Sequence, residues 1–183
     1  NYNVFASTPT VVMESSSGRI LYQNDSNSRH LIASITKIMT CIVTLENIDI
    51  NKTVEVGDEV LKMYGTNIYI EVGEKITIKD LLNGLMLRSG NDAAITLAVN
   101  VSGNEADFVR LMNEKAKEIG MANTIFSNPH GLDEETKNYS TAYDMSLLAN
   151  YAYKNSTYRK IVNKKKYRCK SSLKSYLWYN RVT

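Results

Sequence analysis

The sequence is poor in metal-ligating and cross-linking residues. It has two cysteines, Cys41 and Cys169, and two histidines, His30 and His130, all far apart. No Cys-x-x-Cys pair and no His/Cys cluster occurs, so no metal site is expected. An isolated histidine is more often a structural or surface residue. No run of about 18 apolar residues exists, which excludes a membrane-spanning helix. No basic, apolar, small-residue leader stands at the front. The first residue is Asn1 rather than methionine, so a processed or trimmed product is expected. The formal net charge is only +3, which gives no ground for a nucleic-acid partner. No internal repeat and no low-complexity linker interrupts the chain.

What is present is enough for one core. The chain has 183 residues, 43% of them hydrophobic, and one domain is the natural expectation. "TVVMESSSGRILYQND" reads as a hairpin, with Val11–Met13 and Ile20–Tyr22 as arms and a Ser/Gly turn between them. From Ser34 the pattern turns helical, with Ile38, Cys41, Ile42 and Leu45 recurring at three- and four-residue steps. Residues 51–78 are broken by glycines into loop, strand and helix fragments. Two helices follow, interrupted at Ser89-Gly90-Asn91, the first capped by Thr77 with Asp80 as its partner. "NEADFVRLMNEKAKEIGM" is amphipathic, with Phe108, Leu111, Met112 and Ile119 on one face and Gly120 as its stop. A loop, "SNPHGLD", precedes another helix capped by Ser140 or Thr141. From Arg159 the chain is basic and aromatic, and reads as an edge strand and hairpin with its lysines in water. Strands, helices and strands in that order imply an α+β domain, an antiparallel sheet with a helical block inserted.

Two short elements could carry chemistry. Ser34 and Lys37, three apart on a helix, share one face. A serine is a weak nucleophile unless a base lies within hydrogen-bond reach. A lysine can be that base when burial lowers its pKa, and "LIASITKIMTCIV" is apolar enough to bury Lys37. The plain alternative is a helix-capping serine followed by a solvated lysine, and Ser-x-x-Lys alone does not decide between them. Ser89-Gly90-Asn91 is likewise either a helix-breaking turn or a hydroxyl and an amide facing a substrate.

Taken together, "ASITKIMT" and "DLLNGLMLRSGNDAA" resemble the serine D-alanyl-D-alanine carboxypeptidases, the low-molecular-mass penicillin-binding proteins. "MESSSGRILYQND", "FVRLMNEKAKEIGMANTIFSNPHGLD" and "YSTAYDMSLLANY" extend the resemblance through nearly all of the chain. It implies a β-lactamase/transpeptidase-like fold. It implies Ser34 as the acylated nucleophile, Lys37 as general base and Ser89 as proton relay. Asn91 would bind the substrate amide and help hold Lys37, and the Ser34 backbone N–H would be one oxyanion donor. The implied substrate is a peptidoglycan stem pentapeptide, which loses its terminal D-alanine through an acyl-enzyme. β-Lactam antibiotics are the implied covalent inhibitors, no metal or cofactor is needed, and the implied place is extracytoplasmic, at the cell envelope. Cys41 is expected to be a buried core thiol.

Three departures stand out. Ile32 replaces a frequent proline, and Tyr143 a frequent arginine. The third family motif, Lys-Thr-Gly, which binds the substrate carboxylate and supplies the other oxyanion donor from a strand, is absent from these residues. "KSYLWYNRVT" resembles the approach to that strand. Residues 1–183 are therefore expected to be an incomplete catalytic domain, with C-terminal strands and any membrane anchor outside it. Two other readings remain. One is a serine β-lactamase, against which stand the missing Glu-x-x-Leu-Asn and the Ser-Gly-Asn in place of Ser-Asp-Asn. The other is a catalytically silent wall-binding protein on the same fold.

Overall fold

The computed structural model describes residues 8–180. Strands β1 (Thr10–Met13) and β2 (Ile20–Asn24) pair antiparallel through a turn at Gly18. A short strand, β3 (His30–Leu31), leads into a 3-10 turn (Ala33–Thr36) and helix α1 (Lys37–Asn47). Strands β4 (Thr53–Glu55) and β5 (Lys75–Thr77) pair with each other and flank a second 3-10 turn (Asp58–Lys62). Helices α2 (Ile78–Arg88), α3 (Asn91–Ser102) and α4 (Glu105–Ile119) follow. Strand β6 (Tyr139–Ser140) pairs with β3, and helices α5 (Ala142–Lys154) and α6 (Ser156–Val162) lead to a hairpin of β7 (Lys166–Lys170) and β8 (Ser175–Tyr179). All of these pairings are antiparallel, in four two-stranded units.

The caps explain the helix boundaries. Thr77, Asn104, Thr141 and Asn155 each accept a backbone N–H from the first turn of the helix they precede, satisfying donors that have no intrahelical partner. Gly120 ends α4 in the left-handed region at φ +91°. The chain around Ser34 departs from the expected helix start. The serine lies in the 3-10 turn, and the α-helix proper opens at Lys37. Arg159–Val162, read from sequence as part of a strand, belongs to α6, because Asn155 caps a new helix there.

Helix α1 is the spine of the molecule. It is buried on nearly every side, as expected of a helix that is apolar around most of its circumference. Cys41 and Ile42 join one core with Leu81, Leu85, Leu97 and Trp178. Met39 and Val43 join a second with Phe108, Met112, Phe126 and Leu148. Burying one such side chain stabilises by roughly 1.5–3 kcal/mol. The position of Lys37, at the head of this helix, is therefore fixed from two cores at once.

The two hairpins pack on different helices. The N-terminal one lies on α5, where the Ser15 hydroxyl donates to Asn150 Oδ1 at 2.6 Å. The C-terminal one lies on α2. There Trp178 packs against Gly84, Tyr167 donates to Asp80 Oδ1 at 2.7 Å, and Tyr176 donates to Glu74 Oε1 at 2.7 Å. Lys166 and Lys170 face water. The stretch read as the approach to a further strand ends in residues 181–183, outside the described residues, as does Asn1.

Candidate active site

Ser34 is exposed on the 3-10 turn and Lys37 is buried at 2% exposure. The ammonium of Lys37 donates to Ser34 Oγ at 3.3 Å, to Asn91 Oδ1 at 2.7 Å and to the His130 carbonyl at 2.5 Å. These are three neutral acceptors for three N–H donors. Without a carboxylate in contact, burial dominates and pushes the amine from 10.5 down to about 8, against the weaker pull of Asp92. At pH 7 roughly a tenth of such an amine is neutral. An unperturbed lysine would offer less than about 0.1%.

The Ser89-Gly90-Asn91 turn delivers the second acceptor. Ser89 ends α2 in the left-handed region at φ 60°, and Gly90 precedes the first residue of α3, Asn91. The Asn91 carboxamide is oriented from its other end, where Nδ2 donates to the Tyr64 carbonyl at 2.8 Å. Its backbone N–H donates to the Thr66 carbonyl at 2.8 Å. The structure thus joins Ser34, Lys37 and Asn91 in one network. It does not hydrogen-bond Ser89 into that network. The half-buried Ser89 hydroxyl has no partner among the described residues, although Ser89 stands two positions from Asn91. The Ser34 N–H also donates to no acceptor among the described residues.

Several site-forming residues escape a reading of sequence. Asp92 is 2% exposed and gathers the backbone N–H groups of Ile68, Tyr69, Ile70 and Ala93 at 2.7–3.3 Å. Burial raises its pKa, and those four donors oppose the rise. Asp92 thereby ties the loop after Tyr64 to the start of α3. The loop from Ser127 to Asn138 is held by two buried asparagines. Asn138 Oδ1 accepts from Ser127 N and Asn128 N, and its Nδ2 reaches Thr36 Oγ1 at 2.9 Å. Asn128 Oδ1 accepts from Gly131 N at 2.7 Å. Thr40 donates to the Pro129 carbonyl at 2.6 Å. Thr36, Lys37 and Thr40 therefore all grip this loop from α1 and the turn before it.

His130 is buried at 8% and its imidazole Nδ1 accepts from Leu132 N at 3.1 Å. Burial, helped by the Lys37 charge, lowers its pKa to about 4. It is neutral at pH 7, so its 3.7 Å approach to Glu105 is not an ion pair there. Beside it a cleft of about 620 Å³ opens between Tyr64, Glu105, Leu132 and Glu135. Cys41 is fully buried, with its thiol pushed up to about 12, and is inert core. Among the described residues no group of three or more His, Cys, Asp or Glu side chains could hold a metal ion.

A buried lysine shared by a serine, an asparagine and a carbonyl can do acyl transfer, and comparison with known proteins points the same way. The sequence profile of the peptidase S11, D-alanyl-D-alanine carboxypeptidase family matches residues 3–183.

The chain belongs to the D-alanyl-D-alanine carboxypeptidase family.

One member of that family, the carboxypeptidase DacF of Bacillus subtilis, is 44% identical over 144 residues, covering 76% of this chain and 37% of the relative. A Streptomyces sp. K15 carboxypeptidase is 35% identical over 175 residues, covering 89% of this chain and 60% of the relative. Among solved structures, a D-alanyl-D-alanine carboxypeptidase from Mycobacterium tuberculosis superposes with a TM-score of 0.90 at 31% identity. That match covers 96% of this chain and 67% of the other. The fold is thus the penicillin-binding, β-lactamase-like one, and the chain spans 37% of the Bacillus relative's length.

Proposed function

We propose that this chain carries the acylating half of a serine-type D-alanyl-D-alanine carboxypeptidase of the cell envelope. Its substrate is a peptidoglycan stem pentapeptide. The observation that carries the reading is the buried Lys37 amine, 3.3 Å from Ser34 Oγ and held by Asn91 Oδ1 and the His130 carbonyl. Neutral Lys37 takes the Ser34 hydroxyl proton, and Oγ attacks the carbonyl carbon of the penultimate D-alanine. Charge develops on that carbonyl oxygen, where the Ser34 N–H is one donor. Collapse of the adduct breaks the peptide bond. The leaving D-alanine amine collects its proton through Ser89, and water then hydrolyses the serine ester. Asn91 binds the substrate amide while keeping Lys37 in place.

The second oxyanion donor and the anchor for the substrate carboxylate belong to a Lys-Thr-Gly strand that these 183 residues do not contain. Losing one oxyanion donor costs roughly 10²–10³ in rate, so the 183-residue chain alone is expected to lack carboxypeptidase activity. The same absence favours one other reading, a catalytically silent wall-binding protein. Incubating the whole protein with a D-Ala-D-Ala-terminated pentapeptide separates the two. Release of D-alanine that Ser34→Ala abolishes supports the peptidase. No release from the intact, folded protein supports the silent protein, and fast turnover of penicillin instead would make it a β-lactamase.

A further inference from the structure

A second concave site lies at the far end of α2. Lys79 and Ser89 mark opposite ends of that helix, roughly 15 Å apart at 1.5 Å per residue. Between α2 and α6 a pocket of about 450 Å³ is lined by Lys79, Lys160 and Lys164 above Leu82 and Ile161. Its floor is apolar, with Leu82 and Ile161 buried beneath it and half-buried Ile50 open to it. Its polar wall is built rather than incidental. Asn83 is fully buried, donates to the Lys79 carbonyl at 2.7 Å, and accepts from Lys164 Nζ at 2.9 Å. The Thr157 hydroxyl also lines the pocket and has no hydrogen-bond partner among the described residues.

The charges are unbalanced. Half-buried Lys115 pairs with Glu46 and Glu118, and half-buried Lys174 with Glu71; of the pocket lysines Lys164 is half-buried, and Lys79 and Lys160 are exposed. Lys79, Lys160 and Lys164 have no ion-pair partner among the described residues, and no carboxylate lines the pocket. Asp80 attracts Lys164 from the flank, but its oxygens already accept from Tyr167 and Thr77. Lys164 is also pressed towards its neutral form by burial and by the charge of Lys79. The charges of Lys79 and Lys164 repel each other across this wall, Lys160 lines the same pocket, and a bound anion would relieve that repulsion. A fully solvated lysine face would need neither the concavity nor the buried asparagine.

We propose that the Lys79–Lys160–Lys164 pocket binds a phosphate-class oxyanion carried on a short apolar group. The ammonium groups and the Thr157 hydroxyl meet the oxygens, and Ile50, backed by the buried Leu82 and Ile161, meets the apolar part. Such chemistry comes from a soluble alkyl phosphate or from an anionic phospholipid at a membrane surface.

Titrating the whole protein with n-hexyl phosphate, followed through the Asn83 side-chain amide by NMR, tests this. Saturable shifts confined to the pocket are expected, with at least tenfold weaker binding of inorganic phosphate. The double variant Lys79→Gln/Lys160→Gln should weaken hexyl phosphate at least tenfold while the fold and the reaction of Ser34 with penicillin persist. Displacement of hexyl phosphate by phosphatidylglycerol vesicles, and not by phosphatidylcholine vesicles, would assign the lipid source. No displacement by either would assign a soluble one. Non-saturating shifts, shifts spread over all the lysines, equal affinity for inorganic phosphate, or binding unchanged in the variant would overturn the proposal.

Discussion

A β-carbon placed on Gly131 would lie 2.0 Å from the carbonyl oxygen of Ala33. Gly131 also has φ +87°, and Ala33 itself stands at φ +44°. The loop that supplies the His130 carbonyl to Lys37 is thus pressed against the residue just before Ser34. Gly131→Ala is expected to destabilise by at least about 2 kcal/mol, through the clash and the left-handed backbone together. It should also slow acylation of Ser34. Thermal denaturation and penicillin labelling check both, and a variant with unchanged midpoint and labelling would contradict the packing argument.

Acylation should follow the Lys37 amine. Since burial brings that amine to about 8, the rate should rise with pH up to about pH 8 and then level. Asn91→Asp sets a carboxylate 2.7 Å from Nζ in place of a neutral oxygen. The ammonium form is then favoured and the profile should move up by at least one pH unit. Stopped-flow acylation by a chromogenic cephalosporin measures it. A profile that stays in place after the substitution would remove Lys37 from the base role.

His130 should set an acid limit to stability. Its folded pKa, about 4, lies below the unfolded 6.5. Between those values the unfolded chain binds the extra proton, so stability is present above pH 6.5 and is lost as pH falls towards 4. The loss is roughly 1.4 kcal/mol per pH unit in that window. His130→Asn should flatten this part of the urea-denaturation profile, and an unchanged slope would refute the assignment.

Asn138 has no catalytic role in this account, yet it should matter to the site. It is 2% exposed and bonds Ser127, Asn128 and Thr36. Asn138→Ala leaves several buried polar groups unpaired and should cost roughly 2–4 kcal/mol. Hydrogen exchange should show the Gly131 amide opening first.

The sequence carried the helices and the pairing of Ser34 with Lys37, because three-residue spacing and capping residues are local signals. The buried setting of Lys37 could be anticipated from its apolar neighbours. Its third partner could not, since His130 lies 93 positions away and contributes a backbone carbonyl, which any residue has. Asp92 directly follows the Ser89-Gly90-Asn91 turn, but three of its four backbone donors come from a loop more than twenty positions earlier. The 3-10 turn at Ser34 was hidden for a similar reason. It depends on the close approach of Gly131 to Ala33, a contact between distant segments. Arg159–Val162 was misread because its basic residues suggested an exposed edge, whereas Asn155 starts a helix there.

The central claim is that Ser34 is the residue acylated, with Lys37 as its base. Intact mass spectrometry of the whole protein after benzylpenicillin treatment, followed by peptide mapping, tests it most directly. The account predicts one penicilloyl group on the peptide containing Ser34, absent in Ser34→Ala and strongly slowed in Lys37→Met. An adduct that persists in Ser34→Ala, or that maps to another residue, would contradict it.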